Sequence, residues 1–326
     1  MSLSLTERFR LIEPRRLTSG IALPIVVVLG LIAFFSLGSE AFLTLRNMTA
    51  ISGQASVLLV ACLGATLVIL MGSIDLSVGA MVLLVGSITV LAINQFDLGV
   101  SAILVGVLIG TGLGLVNGLI YAHGAIPSFV VTLGTMSVYT GLAWELLQGR
   151  ALRFDSIAFE DMAIGQLIPY FPNIAIWALG AWIVMVFVCF STRLGRYMFI
   201  IGGGEAVART SGIPVKRYKV YAFALCGCTA GLAGALAVAR LGAAGPTLGT
   251  DLLLNTLAAI VVGGTSLSGG IGGVHRTMIG VMIIALLDNG LNLMDVNQYT
   301  QMVIKGAVVI AAVLVGQDRG KTTVMK

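Results

Sequence analysis

The stretch that decides the fold is Ser191–Lys219, which reads STRLGRYMFIIGGGEAVARTSGIPVKRYK and which we call the basic segment. It is rich in Lys and Arg, holds a single acidic residue, Glu205, and is flanked on both sides by long apolar runs. Moving clustered Lys and Arg across a membrane is unfavourable, so such a segment stays in the cytoplasm. The side of every other loop then follows by alternation along the chain.

The composition indicates an all-α polytopic membrane protein. The chain is 58% hydrophobic and only 10% charged, with a mean hydropathy of +1.03, whereas soluble domains carry roughly 25% charged residues. The net charge of +5 would suit a nucleic-acid-binding protein. Because the positive charge is confined to short loops and tails, as membrane topology requires, we predict no nucleic-acid partner.

Apolar runs of about 20 residues, each long enough to cross a bilayer, predict about ten transmembrane helices. With the basic segment inside, both termini are cytoplasmic, and Arg46, Arg150, Arg153 and Arg240 lie outside. The first run also has the outline of a signal peptide, but the many later crossings favour an uncleaved helix. The predicted crossings are 20–38, 51–71, 77–96, 99–121, 126–148, 173–191, 220–241, 252–267, 274–294 and 298–316.

The crossings predict a single transmembrane domain over 20–316, between cytoplasmic tails 1–19 and 317–326. The segment 40–50 is too short to span a membrane, and we expect it at the interface. The two longest connections are a cytoplasmic loop at 192–219 and an external loop at 149–172.

Glycine forms a stripe in the fourth crossing, where Gly106, Gly110, Gly114 and Gly118 recur every four residues. The seventh crossing has a similar stripe with Gly227 and Gly231. Such stripes let membrane helices approach closely. They predict helix packing inside one subunit, with an interface between subunits as the alternative.

Two glycine- and serine-rich stretches interrupt the apolar pattern. They read MGSIDLSVGA at 71–80 and VVGGTSLSGGIGG at 261–273. Both predict broken or short helices, near 72–79 and 263–273. Breaks at membrane depth are tolerated only beside protein or water and often frame a transport site, although a tight turn at the membrane surface gives the same pattern.

Polar side chains inside the crossings are the candidates for a solute path. Asp288 and Lys305 lie in consecutive helices and are placed to form a buried pair. Neutral amides and hydroxyls suit a hydroxylated solute better than an ion, although polar contacts between helices look the same. The candidate path residues are Asp75, Ser77, Asn117, Ser128, Thr132, Asn289 and Asn292.

The sequence predicts no catalytic residues, no metal site and no bound cofactor. GQDRGKTT at 316–323 has one residue too few between its glycines for a phosphate-binding P-loop. His123 and His275 have no partners at metal-ligand spacing. The four cysteines fall inside apolar runs and read as packing residues. The sequence therefore shows no machinery of its own for ATP hydrolysis.

The motifs resemble those of a known family. MGSIDLSVGA, PSFVVTLGTMSVYTGLA at 127–143, GGEAVARTSGIPVKRYK at 203–219, and IVVGGTSLSGGIGGV followed by LLDNGLNLM at 286–294 are similar to permease subunits of ribose-type ABC importers. That family belongs to the wider sugar and branched-chain amino-acid permease group. The resemblance implies a multi-pass protein of the bacterial cytoplasmic membrane, surrounded by lipid. The partners that it implies are a second permease copy, identical or related, a cytosolic ATPase that binds ATP-Mg, and an external or periplasmic solute-binding protein.

The resemblance also gives the basic segment a role, because part of it looks like the family's coupling segment, a short helix closed by glycine that seats in the ATPase. Glu205 and Arg209, four residues apart, can pair or reach the partner. Gly202–Gly204 departs from the family pattern and is expected to loosen the start of that helix. The coupling residues that the resemblance assigns are Glu205, Ala206, Ala208, Arg209, Gly212 and Ile213.

The sequence therefore predicts the membrane subunit of an ATP-driven importer for a monosaccharide, with a ribose-like pentose as the expected solute. The alternative is a secondary transporter driven by an ion gradient, with Asp288 or Glu145 as its ion site. A membrane-embedded enzyme would need a catalytic cluster that the sequence does not contain.

Overall fold

The computed structural model describes residues 14–316, with side chains over 22–314, and it is almost entirely helical. Two short strands and one 3₁₀ turn, Gly99–Ser101, complete it. The helices in chain order are α1 Pro14–Gly38, α2 Leu45–Leu70, α3 Val78–Phe96, α4 Ala102–His123, α5 Ser128–Leu147, α6 Ile157–Ile164, α7 Asn173–Ser191, α8 Arg193–Gly203, α9 Glu205–Thr210, α10 Val215–Leu241, α11 Leu252–Val262, α12 Val274–Leu293 and α13 Gln298–Gly316.

Within the described chain, seven helices are long and apolar enough to cross a membrane, namely α2, α3, α4 with its preceding turn, α5, α7, α10 and α12. This confirms the all-α polytopic class. Shorter apolar helices, within α1, α11 and α13, occupy the three remaining predicted crossings. At 11 residues, α11 is about 16 Å long and is too short to span about 30 Å of hydrocarbon by itself.

Two details differ from the sequence prediction. The helix of the predicted crossing 51–71 starts earlier, because α2 begins at Leu45, within the segment 40–50, and runs on without interruption to Leu70. The side chain of Thr44 caps this helix by accepting a hydrogen bond from the backbone N–H of Asn47. The predicted crossing 252–267 is also too long, since its helix ends at Val262.

Proline fixes the start of three helices. Pro127, Pro172 and Pro214 stand directly before α5, α7 and α10, respectively. Proline has no N–H to leave unpaired, and its fixed φ suits the entry to a helix. The local sequence therefore marks the residue at which each of these three apolar helices begins.

Both predicted helix breaks are present. The first break, residues 71–77, separates α2 from α3, and the second break, residues 263–273, separates α11 from α12. At Gly72 the chain turns with φ +71°, a conformation that side chains other than glycine rarely adopt. The two breaks lie together, because the N–H of Gly270 donates to the carbonyl oxygen of Leu70 at 2.9 Å.

The core of the chain is the contact between α4 and α10. All four glycines of the α4 stripe are buried. A Cβ atom on Gly110 would lie 2.6 Å from the Cα of Gly231, and one on Gly114 would lie 2.9 Å from the Cα of Gly227. The two backbones therefore touch with no room for side chains, which is the close approach that glycine stripes permit. The stripe packs against another helix of the same chain.

The longest connection on the side opposite the basic segment is also ordered. It contains α6, and its strand β1, Leu152–Arg153, pairs antiparallel with β2, Ala243–Ala244. Asn94 at the end of α3 donates to the carbonyl oxygen of Arg153 at 2.8 Å. These contacts attach the connection 149–172 to the ends of α3 and α10.

We predict that Gly110→Leu destabilises the protein, because its side chain would meet the backbone of α10. Overpacking a well-packed contact costs about 1–3 kcal/mol, and backbone that cannot move aside raises the cost. Thermal unfolding in detergent measures the change. Gly112→Leu on the same helix is the matched control, since a Cβ there has nothing within 4 Å. Equal stability of the two variants would contradict this packing.

Candidate functional site

The basic segment is not an open loop but two short helices followed by a long one. Thr192 caps α8 by accepting a hydrogen bond from the N–H of Gly195. After α9, the N–H of Gly212 donates to Arg209 and that of Ile213 donates to Ala208, at 3.0 and 3.1 Å. Gly212 has φ +79°, so α9 ends at a glycine, as the resemblance implied.

The six residues that the resemblance assigns to coupling differ in exposure, because α9 has one face against the protein and one face open. Ala208 is fully buried against the protein and Ile213 is partly buried. Ala206, Arg209 and Gly212 are exposed, and so is Val207, with 66% of its surface open. A small alanine beside an exposed valine leaves an apolar patch that a soluble partner can contact closely.

Glu205 binds two basic side chains. It pairs with Arg209 on the same helix and with Lys219 of α10, whose Nζ lies 3.0 Å from Oε2. Burial alone would raise the pKa of Glu205, but the hydrogen bonds from Lys219 and Arg209 outweigh it and hold the pKa below its usual value. The carboxylate is therefore charged at neutral pH, and its attachment to α10 weakens only as the pH falls through that lowered pKa.

Lys219 continues this contact into the membrane domain. Only 9% of its surface is exposed, and its Nζ lies 4.3 Å from the ring centroid of Tyr121 at the end of α4. The hydroxyl of Tyr121 is hydrogen-bonded to Ser73 in the first break at 3.0 Å. Glu205, Lys219, Tyr121 and Ser73 thus form a continuous chain of contacts, which we call the relay.

The glycines before α9 make a second connection. Gly203 ends α8 and Gly204 precedes α9. Gly202 packs directly against the backbone of Leu70 and Gly270, where a Cβ atom would collide. Gly202 permits a tight junction between α8 and both breaks, whereas a Cβ atom on Gly203 would have nothing within 4 Å. That these glycines loosen the start of α9 stays a prediction.

Three of the candidate path residues form one buried network at the first break. Asp75 Oδ1 accepts hydrogen bonds from the N–H and hydroxyl of Ser77, at 2.8 and 2.6 Å. Asn117 Nδ2 donates to the Ser77 hydroxyl at 2.8 Å and its Oδ1 accepts from Tyr139 at 3.1 Å. These groups lie within the bundle, and Asp75 Oδ2 is left buried without a partner among the described residues.

Two further candidates bind the backbone of the same break. The hydroxyl of Ser128 accepts from the N–H of Ile74 at 3.0 Å, and that of Thr132 accepts from the N–H of Leu76 at 3.1 Å. Both hydroxyls sit at the start of α5. They replace the partners that these N–H groups would have in a continuous helix, which is the condition for a break inside a membrane.

The last two candidates lie elsewhere, on α12. Asn289 exchanges two hydrogen bonds with Asn47 of α2, at 2.9 and 2.8 Å. Asn292 Oδ1 accepts from Gln301 of α13 at 2.8 Å. Of the seven candidates, Asn292 is the one that lines a cavity of about 660 Å³, which we call the polar cavity.

The polar cavity is bounded by α2, α3, α10, α11, α12 and α13, by the connection before α11 and by Ala151 of the connection 149–172. On its wall Lys305 Nζ lies 3.1 Å from Asp288 Oδ1. This confirms the pair predicted from the two sequence positions. Asn255, Arg240 and Gln54 also line the cavity. Sequence analysis missed them as site residues, because single polar residues on three distant helices carry no common spacing.

The described part of the chain contains no cluster of metal-ligating side chains. No three His, Cys, Asp or Glu side chains come together within residues 14–316 in a way that could hold a metal ion. All four cysteines are free, and three of them are buried.

Comparison with known proteins identifies the family. The model of the branched-chain amino acid transport system permease component matches residues 47–313. The ribose import permease protein of Escherichia coli (strain K12) is 38% identical over 300 residues, covering 90% of this chain and 93% of the relative. That of Haemophilus influenzae is also 38% identical, over 89% of this chain and 90% of its own length. The D-allose transport system permease protein of Escherichia coli (strain K12) is 36% identical, with 86% of each chain covered.

No solved structure matches this chain. The family match covers both helix breaks, the basic segment and the polar cavity. These matches agree with the resemblance found in the motifs, and the several apolar helices agree with a multi-pass protein of the bacterial inner membrane. The chain therefore belongs to the family of branched-chain amino acid transport system permease components, as a permease of the ribose type.

Proposed function

We propose that this chain is the membrane subunit of an ABC importer that carries a ribose-like monosaccharide into the cytoplasm. The observation that supports this most directly is the 38% identity to ribose import permeases over 90% of the chain. Transport proceeds by alternating access, in which two permease copies rock against each other to open the path first outward and then inward.

The proposed topology has ten crossings with both termini in the cytoplasm. The basic segment anchors this arrangement, because clustered Lys and Arg stay inside. The connection 149–172 then lies outside, where a solute-binding protein docks. Residues 1–13 and 317–326, which hold most of the predicted tail 1–19 and all of the predicted tail 317–326, lie outside the described residues.

The energy for transport comes from partners. A cytosolic ATPase binds ATP-Mg and hydrolyses it, an external binding protein delivers the sugar, and a second permease copy completes the path. The exposed face of α9, with Ala206, Val207 and Arg209, supplies the contact to the ATPase. Movement of α9 passes along the relay to Ser73 in the first break, and through Gly202 to the junction of the two breaks.

The ion-driven alternative is not favoured, since the relatives are permeases of import systems of the ABC type. Glu145 also gives it little support, because it is an exposed residue near the end of α5. Asp288 is paired with Lys305 and is not a free ion ligand.

Val207→Asp is expected to abolish co-purification of the ATPase with the detergent-solubilised permease, because it places a charge in the proposed apolar contact. Glu205→Arg is expected to do the same, since it reverses the charge that positions α9. Ile157→Asp is the matched control, as an exposed apolar residue on α6 in the proposed external connection. Retention of the ATPase by both α9 variants would remove the coupling role.

Lys219→Met is expected to uncouple ATP hydrolysis from uptake while leaving the ATPase bound. The change keeps the apolar stem but removes the charge that links Glu205 to Tyr121. The measurement is the ratio of sugar transported to ATP hydrolysed in proteoliposomes. Lys216→Met, an exposed neighbour on the same helix, is the control. An unchanged ratio in Lys219→Met would show that the relay carries no movement.

A further inference from the structure

The polar cavity has the size and lining of a small-molecule site. Its volume of about 660 Å³ falls within the range of roughly 300–1,000 Å³ that such sites occupy. Six helices contribute to its wall, and five of them carry at least one polar side chain to it. These side chains are Gln54, Arg240, Asn255, Asp288, Asn292, Gln298, Gln301 and Lys305.

The Asp288–Lys305 pair on this wall has unused hydrogen-bonding capacity. Both side chains are less than a tenth exposed. An ammonium carries three N–H donors, and Asp288 is the one partner of Lys305 among the described residues. Asn255 Nδ2 approaches Asp288 Oδ2 at a long 3.4 Å, and Asn255 Oδ1 is buried without a partner in the described structure. A buried polar atom without a partner is costly, so these groups are arranged for something that enters the cavity.

The charges of the cavity wall balance. Arg240 and Lys305 supply two positive groups, and Asp251 and Asp288 supply two negative groups. A small cation would be attracted by the two carboxylates and repelled by the two basic groups, and a small anion would meet the opposite balance. A neutral solute with several hydroxyls meets no such opposition, because each hydroxyl both donates and accepts and can match an ammonium, a carboxylate or an amide.

We propose that the polar cavity is a transient binding site for a neutral polyhydroxylated solute, with Asp288, Lys305 and Asn255 as the groups that contact it. The proposal rests on the proposed function and assigns residues to it. In the topology above, the cavity lies in the outer half of the bundle, where it receives the solute from the binding protein. A buried ion pair is also expensive inside a membrane and is kept there for a role.

The test uses the purified permease alone and D-ribose at high concentration. A cysteine at Gln54 on the cavity wall is alkylated by a water-soluble maleimide, and the unsubstituted protein gives the background from Cys228. D-Ribose is expected to slow alkylation of Gln54→Cys several-fold. Asp155→Cys, an exposed position away from the cavity, is expected to react at an unchanged rate.

Asn255→Leu in the Gln54→Cys protein is expected to remove the protection by D-ribose without lowering the thermal unfolding temperature. Asn255→Ala serves if the leucine variant does not fold. Absence of protection in Gln54→Cys, equal slowing by isosmotic betaine, or protection that survives the Asn255 change would each overturn the proposal and leave the ion pair a structural contact.

The assay contains neither ATPase nor binding protein, so its outcome is independent of the proposed function. ATP-driven uptake without protection in the cavity would reject the site and keep the importer. Protection without ATP-driven uptake would keep the site and reject the importer.

Discussion

The structure depends on one constraint, namely that buried backbone N–H and C=O groups find partners within the protein. Two helix breaks release such groups, and the chain satisfies them with side chains and with each other. Ser128 and Thr132 accept from the first break, while Gly270 of the second break donates to Leu70. The breaks therefore lie in contact. Two of the polar residues that the sequence suggested for the solute path, Ser128 and Thr132, instead bind backbone N–H groups.

Two contacts tie α8 and α9 to the membrane bundle. Gly202 sits where a Cβ atom would collide with the joined breaks, so α8 cannot move away without opening that junction. Lys219 makes a second link, between Glu205 of α9 and Tyr121 of α4. Close-packed contacts transmit displacement because they have no free volume to absorb it. Under the proposed function, a displacement of α9 is passed through these contacts to the two breaks.

The sequence predicted features that depend on local patterns. Apolar runs located the helices, glycine-rich interruptions located both breaks, and the four-residue spacing of Glu205 and Arg209 anticipated their pair. Contacts between residues far apart in the chain were not predictable in this way. Two examples are the contact of Lys219 with the ring of Tyr121 and the hydrogen bond from the N–H of Leu76 to Thr132. Each joins segments whose relative placement is not encoded in any sequence periodicity. The short α11 was misjudged because hydropathy registers apolar residues and not where their helix ends.

The central claim is that ATP hydrolysis by a partner drives a sugar through this chain. The most direct measurement is uptake of labelled D-ribose into proteoliposomes that hold the permease and its ATPase. Ribose-loaded binding protein is added on the side of the connection 149–172. The account predicts uptake that requires ATP on the side of the basic segment and persists when ionophores collapse proton and sodium gradients. Uptake that proceeds without ATP and stops with the ionophores would contradict it.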